Sequence, residues 1–319
     1  MTSLPEHPRS THVVVVGAGT MGADVAIVLA RGGARVTVVD PSAQKCQGLV
    51  EHVRVGLAPW GLESRANAMQ VCAQMQDVLW SDVCLVVECI PEVLLSKQTL
   101  FAQLVVLAPP HAVLASNSSS FPISRIGEGL ATTARMVGLH FFMPAHLVPL
   151  VEVVLGSETD FEMAQRLCAY MRGCGNVPVL VRKDKPGFLA NRLQHALARE
   201  AFALIDEGVA SAEDVDAAVR FGFGFRYLAA GPVLQRDHAG LDVHCAAAAT
   251  MYPSLSNASE PARVLQDLVA AGQLGMKTGA GFYAWPTEKR EAERARYDRL
   301  LRQGLSLLAD ELPAVDSAE

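Results

Sequence analysis

Lysine is scarce in this 319-residue chain, with six (45, 97, 183, 185, 277 and 289) against 21 arginines. The net charge of −6 and the pI near 5.9 leave no generally basic surface, so nucleic acid is not an expected partner. Seven cysteines (46, 72, 84, 89, 168, 174 and 245) are scattered, and no CxxC pair or Cys/His cluster has metal-ligand spacing. They read as reduced thiols, and no metal is expected. No uncharged apolar run reaches the ~18 residues of a membrane span, and the opening MTSLPEHPRS lacks the apolar core of a signal peptide. A soluble, cytoplasmic protein with no membrane partner is expected. The sequence also lacks internal repeats and low-complexity tracts.

What is present is apolar: 50% of the residues are hydrophobic, ample for a sizeable core in one large α/β unit or two domains. His12-Val-Val-Val-Val16 is a β-branched run, too short for a helix and stopped by glycine. Ala26, Ile27, Leu29 and Ala30 then recur at helical spacing until Gly32-Gly33, and Arg35–Val39 is a second strand-like run ending at Asp40-Pro41. Strand, glycine turn, helix and strand make the βαβ unit of a parallel sheet. Further strand-like runs lie at 83–87, 112–115, 136–142, 150–155 and 177–181, with helices expected at 96–107 and 159–173. From Pro186 the periodicity becomes helical. Leu189, Leu193, Leu197, Ala201 and Leu204 line one face, Ser211-Ala-Glu-Asp214 reads as a capping box, an alanine run follows Cys245, and Tyr297, Leu301, Leu305 and Leu308 line a charged helix. The expected architecture is therefore α/β: a doubly wound, mainly parallel sheet over residues 1–185, then an all-α domain over 186–319.

Three groups of residues carry chemistry. Gly17-Ala-Gly19-Thr20-Met21-Gly22 fits GxGxxG between a strand and a helix, with Asp40 ending the next strand. The first glycine permits the turn, the second lets a pyrophosphate approach the backbone, and the third lets helix meet strand. Asp40 accepts hydrogen bonds from ribose hydroxyls and repels a 2′-phosphate, which selects NAD over NADP. The second group is His140, followed by Glu152 in the next apolar run. Oxidising an alcohol requires a base of near-neutral pKa, and a carboxylate can orient and charge-stabilise it, although the same two residues serve a sheet as ordinary buried groups. The third is Ser116-Asn117-Ser118-Ser119-Ser120 at a strand end, readable as a capping turn or as the wall of a cofactor crevice. Asn191, opening the first helix of the second domain, is either a cap or a group projecting toward substrate.

Together with Val86-Val-Glu-Cys-Ile-Pro-Glu92, Pro186-Gly-Phe-Leu-Ala-Asn191-Arg and Lys277-Thr-Gly-Ala-Gly-Phe-Tyr, these blocks resemble the L-3-hydroxyacyl-CoA dehydrogenase family over nearly the whole chain. The resemblance implies a Rossmann-type NAD domain, a helical domain that forms a homodimer, and hydride transfer between C3 of a 3-hydroxyacyl substrate and NAD. It implies His140 as general base, Glu152 as its orienting partner, and Ser119 and Asn191 on the reacting oxygen. Glu92, Lys97 and Lys277 would contact NAD alongside Gly17, Gly19, Thr20, Met21, Gly22 and Asp40. There are two departures. Met143 stands where the family has Asn after His-Phe-Phe, and Pro41–Trp80 holds only Lys45, Arg54 and Arg65 where acyl-CoA users place basic residues for the nucleotide phosphates. His146-Leu-Val-Pro-Leu-Val-Glu152 and Gly224-Phe-Arg226-Tyr-Leu resemble the lambda-crystallin branch, whose substrates include free 3-hydroxy acids such as L-gulonate and, in related members, carnitine. There Arg226 is the candidate ligand for a substrate carboxylate, its alternative being a helical dimer contact. A dinucleotide-binding structural protein is the remaining reading.

Overall fold

The computed structural model describes residues 4–315. Its strands are β1 (His12–Val16), β2 (Arg35–Val39), β3 (Gln70–Cys72), β4 (Val83–Glu88), β5 (Val113–Ser116), β6 (Met136–Phe141), β7 (Leu150–Val154) and β8 (Val177–Val181). They form one sheet in the order β3-β2-β1-β4-β5-β6-β7-β8. Every neighbouring pair is parallel except β6 with β7. A parallel return needs a crossover of about a dozen residues or more, and the short link between Phe141 and Leu150 permits only the antiparallel one.

Successive side chains of a strand face opposite sides, and here both sides are covered. Val13 and Val15 join a core with Val25, Ile27 and Leu29 of α1 (Thr20–Arg31), Val53 of α2 (Leu49–Leu57) and Leu167. Val14 and Val16 join the opposite core with Leu100, Phe101 and Leu104 of α3 (Leu94–Leu107). Leu167 belongs to α4 (Phe161–Gly173), whose start is capped by Asp160 accepting the Met163 N–H at 2.7 Å. Each fully buried Val, Leu or Phe of these layers contributes about 1.5–3 kcal/mol. This doubly wound sheet is the α/β architecture expected from the valine runs, and the chain after it is helical.

The described residues form two compact units, one running up to Asn191 and resuming at Leu305, the other Arg192–Gly304. The division falls a few residues beyond Pro186, inside α5 (Ala190–Asp206), because the first turn of that helix is tied to the sheet by Glu152. In the second unit, Ser211 Oγ caps Ala212–Ala217 by accepting the Asp214 N–H at 3.1 Å, and Asp206 caps Arg263–Ala270 by accepting the N–H groups of Arg263 and Val264 at 2.8 and 2.7 Å. The leucine stripe on α5 is largely open to solvent, with Leu193 58% and Leu197 41% exposed. No helix among the described residues is long and apolar enough to cross a membrane.

Candidate active site

The site residues of the first unit gather at the carboxyl ends of β1, β2, β4, β5 and β6. Gly17 has φ +108° and its N–H donates to Val39 O at 2.8 Å, closing the turn from β1 onto β2. A Cβ on Gly22 would strike the Gly17 carbonyl, whereas a Cβ on Gly19 would meet nothing within 4 Å. That open space faces the start of α1, where the first-turn N–H groups lack helical partners, so the turn fits a dinucleotide pyrophosphate. Thr20 and Met21 occupy the first turn, exposed and half-buried respectively. Asp40 is buried and steadies the same turn: its Oδ2 accepts the Ala18 N–H and its Oδ1 the Ser42 N–H, both at 2.8 Å, with Lys45 Nζ 3.6 Å away.

Beside β1 lies a connected polar network. Glu88, fully buried at the end of β4, accepts at Oε1 from Lys97 Nζ (2.6 Å) and the Ile90 N–H (2.7 Å), and at Oε2 from Ser116 Oγ (2.5 Å). Lys97, 1% exposed on α3, also reaches Glu92 Oε2 at 3.2 Å. Glu92 Oε1 accepts from Ser118 Oγ, Ser120 N–H and Ser120 Oγ at 2.5–3.0 Å. Burial opposes charge on Glu92, but these serine donors and the Lys97 ammonium outweigh it and hold the carboxyl below its usual range. Ser116, Ser118 and Ser120 are thus all engaged. The exposed Ser119 hydroxyl has no partner among the described residues, while its carbonyl accepts from Asn191 Nδ2 at 3.4 Å. Asn117 Oδ1 accepts the Phe141 N–H at 2.9 Å, pinning this serine loop to the strand that carries His140.

His140 and Glu152 are directly paired across β6 and β7. His140 Nδ1 lies 2.7 Å from Glu152 Oε2, and the two residues are 4% and 0% exposed. Glu152 Oε1 accepts the N–H groups of Leu189 and Ala190 at 3.0 and 2.8 Å. Burial again opposes the charge. The hydrogen bonds from His140, Ala190 and Leu189 prevail and lower the Glu152 pKa. A carboxylate at Nδ1 requires the proton there, which leaves a lone pair on Nε2, and Nε2 has no partner among the described residues. The ring is wedged between Phe142 and Phe188, with centroids at 4.5 and 5.5 Å. A second carboxylate serves the adjoining loop: Asp24 of α1 accepts the Ala145 N–H at 3.2 Å and His52 Nε2 at 3.3 Å, while His146 Nδ1 lies 3.2 Å away, off the hydrogen-bonding axis.

Residues 12–185 match the NAD binding domain of 3-hydroxyacyl-CoA dehydrogenase, and 187–285 match that enzyme's C-terminal domain. The chain belongs to the 3-hydroxyacyl-CoA dehydrogenase family. It is an NAD-dependent oxidoreductase with a Rossmann-type sheet, acting on CH–OH. It is 31% identical over 293 residues to 5-formyl-3-hydroxy-2-methylpyridine 4-carboxylate 5-dehydrogenase of Mesorhizobium japonicum, covering 89% of this chain and 95% of that one. It is 33% identical over 236 residues to lambda-crystallin of Oryctolagus cuniculus, covering 71% and 74%. A crystal structure of the same pyridine-carboxylate dehydrogenase, described as an NAD+ dependent dismutase, superposes with TM-score 0.88 at 30% identity, covering 93% of this chain and 98% of that one.

For a family member, several placements are notable. Met143 is 65% exposed just beyond β6. Lys277 and Arg226 are exposed residues of the second unit, Arg226 within the short helix Phe225–Leu228. Ser116 and Asn117 belong to the serine group singled out in the sequence but without the positioning roles found here, and Glu88, which holds Lys97, was given no role there. For Glu88 a signal existed: a carboxylate closing the run Val83-Cys84-Leu85-Val86-Val87 has to find a buried partner.

Proposed function

We propose that this NAD-dependent dehydrogenase oxidises a small free carboxylic acid at a C3 hydroxyl, with His140 as general base. The observation that carries the catalytic part is the His140–Glu152 pair with Nε2 open, on the strand that Asn117 ties to the Ser119 loop. NAD supplies the hydride acceptor. His140 Nε2 takes the hydroxyl proton as the C–O bond becomes a carbonyl, and Glu152 holds the Nδ1–H and offsets the imidazolium charge. The Ser119 hydroxyl and the Asn191 amide donate to the reacting oxygen, and reduction runs the same transfers backwards. Asp40 and the glycine turn hold the adenosine ribose and pyrophosphate, with Glu92 on the remaining half of the cofactor; Lys97, buried and held by Glu88 and Glu92, acts there through Glu92 and not by direct contact.

The free-acid reading draws support from the basic residues of the segment that follows β2. Arg54 is paired with Glu51 and Asn67 at 2.5 and 3.0 Å, Arg65 donates to the Arg31 carbonyl, and Lys45 lies beside Asp40. CoA phosphates would have to displace those partners. The pyridine-carboxylate dehydrogenase, matched over nearly its whole length, is by its name an enzyme of a free acid. Arg226 is the candidate carboxylate ligand. A CoA thioester is the second reading, favoured by the match of both domains to an acyl-CoA dehydrogenase family. NADH formation measured side by side on free 3-hydroxy acids and on 3-hydroxybutyryl-CoA decides: turnover is expected on acids, and turnover confined to the thioester overturns the proposal.

The second unit pairs with a second copy of the chain. None of its helices holds a fully buried side chain, and Phe221, Val233 and Leu241 are 71%, 79% and 62% exposed. A monomeric mass by light scattering across the micromolar range would remove the homodimer. Seven free thiols fit a reducing, cytoplasmic compartment.

A further inference from the structure

Glu88, Lys97 and Glu92 are two carboxylates sharing one ammonium. Glu88 is fully buried and accepts three hydrogen bonds, one from the ammonium, one from a backbone N–H and one from a hydroxyl, an environment that suits a carboxylate and not a carboxylic acid. Glu92 takes four donors, counting Lys97, and its remaining surface faces solvent, the side chain being 35% exposed. The shorter contact of Lys97 is with Glu88, 2.6 Å against 3.2 Å to Glu92. The ammonium thus neutralises the deep carboxylate, and the group carries one net negative charge on its solvent side.

The sheet order says what meets that charge. Asp40, immediately after β2, marks the adenosine side of the dinucleotide, and the glycine turn after β1 holds its centre. The other half extends over β4 and β5 toward His140 on β6, where hydride transfer has to occur. Glu92 therefore lies beside the nicotinamide half. The oxidised ring bears a positive charge that reduction removes.

We propose that Glu88 is a positioning residue that sets the redox preference of cofactor binding: by engaging Lys97 it leaves Glu92 as an unneutralised carboxylate that favours NAD+ over NADH. The inference rests on the nicotinamide lying near His140, as the proposed function requires. In Glu88→Gln the amide oxygen still accepts from Lys97 and the Ile90 N–H while the amide NH2 donates to Ser116 Oγ, the charge of the ammonium is then balanced by Glu92 alone, and the net charge of the group becomes zero.

The test is calorimetric titration of the full-length protein with NAD+ and with NADH. In Glu88→Gln the ratio Kd(NADH)/Kd(NAD+) falls by about 5- to 10-fold, the scale of one partly screened unit charge several ångströms away. Glu51→Gln, the same charge change on the distant Arg54 pair, leaves the ratio as in the parent. Equal weakening of both nucleotides in Glu88→Gln is what a merely structural role would produce, and it overturns the proposal. So does a fall shared by Glu51→Gln. Should Glu88→Gln not fold, Glu92→Gln removes the charge from the solvent side and must lower the ratio too; an unchanged ratio there overturns it equally. A parent that binds neither nucleotide refutes the cofactor reading itself and this inference with it.

Discussion

Two buried histidines sit at opposite ends of the same sheet, each with a carboxylate on Nδ1, and they differ in what happens at the other nitrogen. At the start of β1, His12 Nδ1 meets Asp82 at 2.9 Å and Nε2 meets Thr37 Oγ1 at 2.9 Å. At the end of β6, His140 Nδ1 meets Glu152 at 2.7 Å and Nε2 is open. The first ring has no lone pair to offer and works as a brace between β1, β2 and the turn before β4. The second is as well oriented and keeps its basic nitrogen free. Their carboxylates differ as well: the Asp82 side chain is 56% exposed, whereas that of Glu152 is 0% exposed and also holds the first N–H groups of α5. A histidine–carboxylate pair is thus a structural unit by default, and an open second nitrogen at the carboxyl edge of the sheet makes it a base.

Substitutions should separate the two pairs sharply. His140→Ala lowers kcat by about 10²–10⁴-fold while NAD affinity stays within about twofold of the parent, and parent-like turnover would end the assignment of the base. Glu152→Gln follows with a loss of about 10²-fold in kcat, because an amide no longer dictates which ring nitrogen carries the proton. Steady-state kinetics alongside a thermal melt distinguishes that loss from unfolding. Asp24→Asn tests a carboxylate that serves histidines without catalysing. Burial raises its pKa, but His146 and His52 prevail and bring it from 3.8 to about 2. A depressed folded-state pKa means stability that is present above the ordinary carboxylate range and disappears as pH falls through the folded value. Urea unfolding should therefore show a deficit of about 2 kcal/mol at pH 5 that narrows steadily toward pH 2, and a pH-independent deficit would contradict the ionic origin. The smallest effect belongs to the brace: His12→Gln costs about 1 kcal/mol in stability and leaves kcat within about twofold, so a large loss of turnover would erase the contrast between the two histidines.

Much of this was legible in the residues. The valine runs, one stopped by Gly17 and the other by Asp40-Pro41, located β1 and β2, and the acidic residue after β2 lay where the turn needs it. The strand β3 escaped because three partly exposed residues at a sheet edge, Gln70–Cys72, have neither alternation nor length. The reversal at β7 escaped for another reason: Leu150-Val-Glu-Val-Val reads the same in either direction, and only the brevity of the link from Phe141 settles it. His140 and Glu152 were visible as a base and a carboxylate in neighbouring apolar runs. Glu88 and Lys97 were not visible as a pair, because a lysine in the first turn of a helix ordinarily points to water, and nothing local announces that this one turns inward. On α5 the leucine stripe was legible, but its fate depends on what covers it, which a single chain's periodicity does not encode.

The burial of Lys97 also has a practical side. Five other lysines are available to an amine-acylating reagent, and in a chain with so few, each modified peptide is readily assigned by mass. With its ammonium held by Glu88 and shielded to 1% exposure, Lys97 should be the slowest of the six to label. Its labelling rate then becomes a clock for how often the carboxyl edge of the sheet opens, readable in native protein without any engineered probe.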